Sequence, residues 1–124
     1  MIFHPRAFCL TIATQQLSVL MGFYQDLLQC PPKHYQPEIY AEFERHGVRL
    51  GIFQTRPEAW PEFDGPSGAL SLCLTVDDLE GAIAHLTQLG YPPPDAIRLA
   101  SHGREIYGYD PDGNRLILYE PKKG

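Results

Sequence analysis

The two halves of the chain repeat one another. Leu10-Thr-Ile12 aligns with Leu74-Thr-Val76, and Leu50-Gly-Ile-Phe53 aligns with Leu116-Ile-Leu-Tyr119. Self-similarity at about 55 residues restricts the fold to architectures built from two copies of one supersecondary unit. The unit reads as strand, helix, then two or three strands. In the first half, Ala7 to Ala13 alternates, with Phe8, Leu10 and Ile12 on one face. Thr14 offers a helix N-cap, and Leu17, Leu20, Met21, Tyr24, Leu27 and Leu28 form a helical stripe that Cys30-Pro-Pro ends. In the second half, Leu70, Leu72, Leu74 and Val76 share a strand face. Asp77-Asp-Leu-Glu80 then resembles a capping box, and a helix runs to about Leu89 before Gly90, which suits a left-handed C-terminal position.

Each half closes on a hairpin. Around Asp110-Pro-Asp-Gly113, Pro111 presets the first corner and Gly113 supplies a left-handed residue. Alternation then opposes Tyr109 to Arg115, Tyr107 to Ile117 and Glu105 to Tyr119, leaving Ile106, Gly108, Leu116 and Leu118 on the other face. His46-Gly47 forms the earlier tip. It opposes Arg45 to Val48, Glu44 to Arg49, Glu42 to Gly51 and Tyr40 to Phe53, with Ala41, Phe43, Leu50 and Ile52 behind. A short strand near Ala96 to Ala100 precedes the last hairpin. Thr55 to Gly68 is a Pro- and Gly-rich loop in which Trp60 and Phe63 anchor the loop or cover a site. These elements make an α+β protein of two tandem βαβββ modules (about 5–55 and 69–121, with a linker at 56–68), helices outside and the polar-aromatic sheet faces lining a cleft.

The remaining properties exclude whole classes of function. A net charge of −5 disfavours nucleic acid, no apolar run approaches a membrane span, and the N-terminus lacks a signal-peptide layout. Cys9, Cys30 and Cys73 are an odd count, which fits free thiols in the cytoplasm.

The layout resembles the vicinal oxygen chelate superfamily, which includes glyoxalase I, extradiol dioxygenases and bleomycin-resistance proteins. The residues that carry the resemblance are Phe23-Tyr-Gln-Asp-Leu-Leu28, Thr75-Val-Asp-Asp-Leu79 and Asp110-Pro-Asp-Gly-Asn114, and it covers nearly the whole chain. It implies a half-barrel cleft, commonly in a homodimer, with a divalent metal held by His and Glu at matched places in the modules. Carried over by position, those ligands fall on Ala7, Gly51, Ser71 and Ile117. Three of these offer no side-chain donor, and a lone hydroxyl is a weak ligand.

The expected function is therefore metal-independent binding of a small organic molecule, aromatic or cationic, with no cofactor and no catalytic residue. Tyr40, Phe53, Tyr107, Ile117 and Tyr119 would form apolar walls. Glu42, Arg49, Glu105 and Arg115 would orient polar groups, Cys73 would line the same face, and Trp60 would act as lid or anchor. The plainer reading is that the tyrosines fill the concavity and the Glu and Arg residues form solvated cross-strand pairs. Two alternatives stand beside these: a lyase, isomerase or dioxygenase whose metal has moved to Glu42, Glu105 or His4, and a module used for protein contact or regulation. Cys9 and Cys73, similarly placed in the two modules, read either as a redox pair or as small buried residues.

Overall fold

A computed structural model describes residues 3–65 and 68–123. The contacts divide the chain into two compact units, 1–65 and 66–124. The first contains β1 (Leu10–Thr14), α1 (Leu17–Leu28), β2 (His34–Gln36), β3 (Tyr40–Arg45) and β4 (Val48–Gln54), followed by a 3-10 turn (Pro57–Ala59) and α2 (Trp60–Phe63). The second contains β5 (Leu72–Thr75), α3 (Leu79–Leu89), β6 (Arg98–Ala100), β7 (Gly103–Tyr109) and β8 (Arg115–Pro121). The βαβββ repeat is present in both. The sheets have matching orders, β1-β4-β3-β2 and β5-β8-β7-β6, with the first strand parallel to the last and the remaining pairs antiparallel.

Both hairpins keep the register that alternation predicts. Glu42 opposes Gly51 and Tyr40 opposes Phe53; Tyr107 opposes Ile117 and Glu105 opposes Tyr119. Each turn is fixed by local chemistry. His46 and Gly47 both have positive φ, 52° and 82°, matching the right-handed twist of the strands they join. Asp110 is buried and does more than occupy a corner. Its carboxylate accepts from the backbone N–H groups of Asp112 and Asn114 and from Asn114 Nδ2, at 2.8–2.9 Å.

One face of each sheet is closed by its helix. In the first unit Leu17, Leu20, Phe23 and Tyr24 of α1 are buried with Ala41, Phe43, Leu50 and Ile52 of β3 and β4. In the second, Leu79 and Leu86 of α3 are buried with Ile106, Leu116 and Leu118 of β7 and β8. Full burial of each large apolar side chain contributes roughly 1.5–3 kcal/mol. At Gly108 an added Cβ would lie 3.0 Å from Leu86 Cδ1, so the missing side chain lets the helix come down on β7.

The first strands depart from expectation. β1 starts at Leu10 rather than Ala7, and β5 at Leu72 rather than Leu70. Phe8 and Leu70, assigned to core faces, are 91% and 77% exposed, because α1 packs over β3 and β4 and α3 over β7 and β8, away from the strand starts. The repeat also has a different register. Leu10 lies beside Leu50 and Leu72 beside Leu116, so the counterpart of Leu10 is Leu72, not Leu74.

The helix starts complete the repeat. Leu17 N–H donates to Gln54 Oε1 at 2.9 Å, and Leu79 N–H donates to Glu120 Oε2 at 2.8 Å. In each unit the end of the last strand thus caps the unit's own helix across the sheet, satisfying an N–H that has no intrahelical partner. Thr14 is not the N-cap of α1; that position is Gln16, whose N–H donates to Thr14 Oγ1. The cap of α3 falls one residue later than a capping box begun by Asp77 requires: Asp78 is the N-cap, accepting from Gly81 N–H at 3.0 Å, and Gly90 ends the helix at φ 97°. α1 ends on Gln29, a non-glycine residue in the left-handed region. The loop after Thr55 is partly helical, and Phe63 packs edge-on against Phe53 with ring centroids 5.3 Å apart.

Candidate functional site

In the first unit, alternation along β3 and β4 puts Tyr40, Glu42, Arg49, Gly51 and Phe53 on the sheet face opposite α1. Glu42 is buried there, 5% exposed, and both its oxygens are engaged. Tyr40 donates its hydroxyl to Oε1 at 2.7 Å; Arg49 donates from Nη2 to Oε1 at 3.0 Å and from Nε to Oε2 at 3.4 Å. These hydrogen bonds, Tyr40's first, hold the Glu42 carboxyl below its ordinary range despite burial. Burial, and then the Glu42 contact, pushes the Tyr40 phenol up to about 12. Tyr40 also fills the space over Gly51: a Cβ there would meet the phenolic oxygen at 2.5 Å. Phe53 is half-buried behind Phe63, and half-buried Trp60 opens α2.

In the second unit, Cys73, Glu105, Tyr107, Arg115, Ile117 and Tyr119 share the sheet face opposite α3. Tyr107 is the centre of a cation–aromatic cluster. The guanidinium carbon of Arg98 lies 4.3 Å from its ring centroid and that of Arg115 lies 5.7 Å away. Arg115 donates from Nε to Ser71 Oγ at 2.7 Å and from Nη2 to the Gly68 carbonyl. Tyr119 is tied to the turn beside it. Its hydroxyl donates to the His102 carbonyl at 2.9 Å, and its ring leans on the His102 ring at 5.4 Å. Cys73 is exposed as a residue, yet packing around its sulfur, with Glu105 adding to it, raises the thiol above its ordinary value. A thiol held protonated is a poor redox nucleophile. Cys9 is exposed too, so neither cysteine is the small buried residue of the plainer reading.

Alternation along β3, β4, β7 and β8 revealed most of this, but not Arg98. Its cross-strand partner on β7 is Glu105, which places Arg98 on the Tyr107 face. A register for the short 96–100 strand would have found it. Ser71, a vacant ligand position by the family's pattern, is in the structure the anchor of an arginine.

The residues at the family's metal-ligand positions do not make a metal site. Ala7 lies outside β1; Cys9, immediately before β1, stands as Ser71 stands immediately before β5. The set becomes one thiol, one serine hydroxyl already accepting from a guanidinium, a glycine covered by Tyr40, and Ile117. Two donors, one of them already engaged by Arg115, fall short of the three or four protein ligands such a site needs. Among the described residues, the clustered carboxylates are Asp78, Glu80 and Glu120, at the start of α3. Arg104 bridges two of them, at 2.7 Å to Glu80 and 2.8 Å to Glu120. A depression at the start of α1, lined by Gln16, Tyr35 and Gln54 among others, shares none of the anticipated site residues.

Two modules with one covered and one polar-aromatic sheet face define the class, and comparison with known proteins agrees. The sequence profile of the glyoxalase/bleomycin resistance protein/dioxygenase superfamily matches residues 7–118, and the chain belongs to that superfamily. Among curated proteins none is significantly similar in sequence. Solved structures share the fold. A glyoxalase/bleomycin resistance protein from Catenulispora acidiphila is 23% identical, with TM-score 0.67 over 93% of this chain and 97% of that one. A lactoylglutathione lyase from Agrobacterium tumefaciens is 21% identical, with TM-score 0.69 over 94% and 95%. A family enzyme from Burkholderia phytofirmans is 17% identical, with TM-score 0.76 over 91% and 96%. No helix is long and apolar enough to cross a membrane among the described residues.

Proposed function

We propose that this protein binds a small organic molecule on its aromatic-lined sheet faces without a metal ion. Sequestration of the bleomycin-resistance type is the nearest analogue within its superfamily. One observation supports the reading: at two positions where the superfamily's enzymes carry metal ligands, other side chains of this protein cover or engage the residue. The Tyr40 phenol lies over Gly51, and the Arg115 guanidinium occupies the Ser71 hydroxyl. A metal moved to Glu42 is disfavoured, because removing that carboxylate from Tyr40 and Arg49 would leave a buried network unsatisfied. On the second unit's face Tyr107 and Ile117 supply apolar contact and Glu105 and Arg115 orient polar groups; on the first unit's face Phe53 and Arg49 take the corresponding parts. The free thiols fit a reducing compartment, and a cytoplasmic homodimer completes the reading.

Two measurements test this. Metal analysis of protein purified from Zn-, Ni-, Mn- and Fe-supplemented culture should find only substoichiometric metal. A stoichiometric ion lost in Glu42→Ala or Glu105→Ala would replace the reading with a metalloenzyme. A thermal-shift screen of metabolites and drugs should yield stabilising ligands. An empty screen beside a reproducible protein partner in pulldown would favour a contact module. Light scattering after size exclusion reads the dimer.

A further inference from the structure

On the β5–β8 sheet two guanidinium groups approach one ring, and neither forms an ion pair among the described residues. Among the described residues the ion pairs are Lys33–Glu44, Arg49–Glu42 and Arg104 with Glu80 and Glu120; Arg98 and Arg115 take part in none. The first unit shows the ordinary outcome, in which Arg49 sits on Glu42. Arg98 has the same opportunity, since Glu105 is its cross-strand partner, yet its guanidinium lies over the diagonal neighbour Tyr107.

The way each arginine is held leaves donors free. Stacking on an aromatic ring engages the face of a guanidinium and leaves its in-plane N–H groups open. Arg115 spends an Nε–H on Ser71 and an Nη2–H on Gly68. A guanidinium has five N–H donors, so Arg115 is fixed with donors to spare. Preorganised donors lower the entropic cost of binding. Their forked, planar geometry matches a carboxylate or phosphate, not a cation. Glu105 is the acidic residue on this face, one against two arginines, so the face carries excess positive charge. Tyr109 opposes Arg115 and Ile117 opposes Tyr107, so apolar surface adjoins the donors.

We propose that Arg98, Tyr107 and Arg115 form a binding site for an organic oxyanion, a carboxylate or phosphate ester on a small apolar body. The anion meets the guanidinium edges, and the body lies on Ile117 and Tyr109. This rests on the small-molecule reading above and replaces the cationic ligand considered from sequence with an anionic one.

Calorimetric titration with phenyl phosphate, benzyl alcohol and benzylamine tests it. Phenyl phosphate should bind most tightly, with an affinity that falls as salt is added. Arg98→Gln, at an exposed position, should weaken it about tenfold, and Arg45→Gln, on the other unit's hairpin, should leave it unchanged. Arg115→Gln should weaken it as well, but that substitution also unties Ser71, so Arg98→Gln is decisive. Unchanged phenyl phosphate affinity in Arg98→Gln, or a preference for benzylamine, overturns the oxyanion site and leaves small-molecule binding standing. Failure of all three probes at millimolar concentration overturns the oxyanion site, and small-molecule binding falls with it only if the metabolite screen is also empty.

Discussion

Tyr40 donates its phenolic hydrogen to Glu42 Oε1 at 2.7 Å while its ring end lies where a side chain at position 51 would be. A buried carboxylate and a glycine are thereby served by one tyrosine. The first consequence is a titration. Tyr40 is raised to about 12. A raised folded pKa means stability that is intact below the unfolded value near 10 and is lost as pH rises toward 12. Ultraviolet titration of the tyrosines should show one late component near pH 12 that Tyr40→Phe removes. Glu42 is shifted the other way, so its contribution is present above the ordinary carboxylate value and fades as pH falls through its lower folded value. Glu42→Gln should flatten the acid limb of the stability curve measured by urea unfolding.

Gly51→Ala should destabilise the protein by about 1–3 kcal/mol, because the new methyl collides with the Tyr40 hydroxyl. Much of that cost should vanish in a Tyr40→Ala background, where the space is open. Urea unfolding of the two single variants and the double variant gives the coupling. Additive losses would mean that Tyr40 is not what fills the site.

The cross-sheet helix caps differ by one charge between the units, Gln54 in one and Glu120 in the other. Gln54→Ala should cost roughly 1 kcal/mol, the usual loss of a cap. Glu120→Gln keeps an amide oxygen for Leu79 N–H and imitates the other unit, so it should lower the melting temperature less than Glu120→Ala. Equal losses would mean that the charge facing Arg104 matters more than the cap.

The Glu80 carboxyl is pushed down to about 2, first because the Arg104 guanidinium donates to it and then because of a backbone hydrogen bond. Carboxyl-detected NMR should follow that low value, and Arg104→Gln should return Glu80 toward the ordinary glutamate range. The cluster of Glu80, Glu120 and Arg104 should also take up no divalent cation under the same observation, since a cation already bridges two of its carboxylates.

The sequence by itself determined the duplicated βαβββ plan and the two hairpin registers. Both depend on local chemistry: a two-residue side-chain alternation, and turns whose backbone needs Gly47 or Gly113 at positive φ. Hence the composition of the Tyr40–Glu42–Gly51 face and the Tyr107–Ile117 face follows from the sequence alone. The starts of β1 and β5 could not, because their burial depends on how far each helix reaches across its sheet. Phe8 and Leu70 are apolar in sequence and exposed in the fold for that reason. Only the tertiary structure decided what the side chains on those faces do. Glu42 found Tyr40 and Arg49, whereas Arg98 passed over Glu105 for the face of Tyr107. Strand periodicity says which residues share a face; which of them touch depends on rotamers and diagonal neighbours, and those are set by packing.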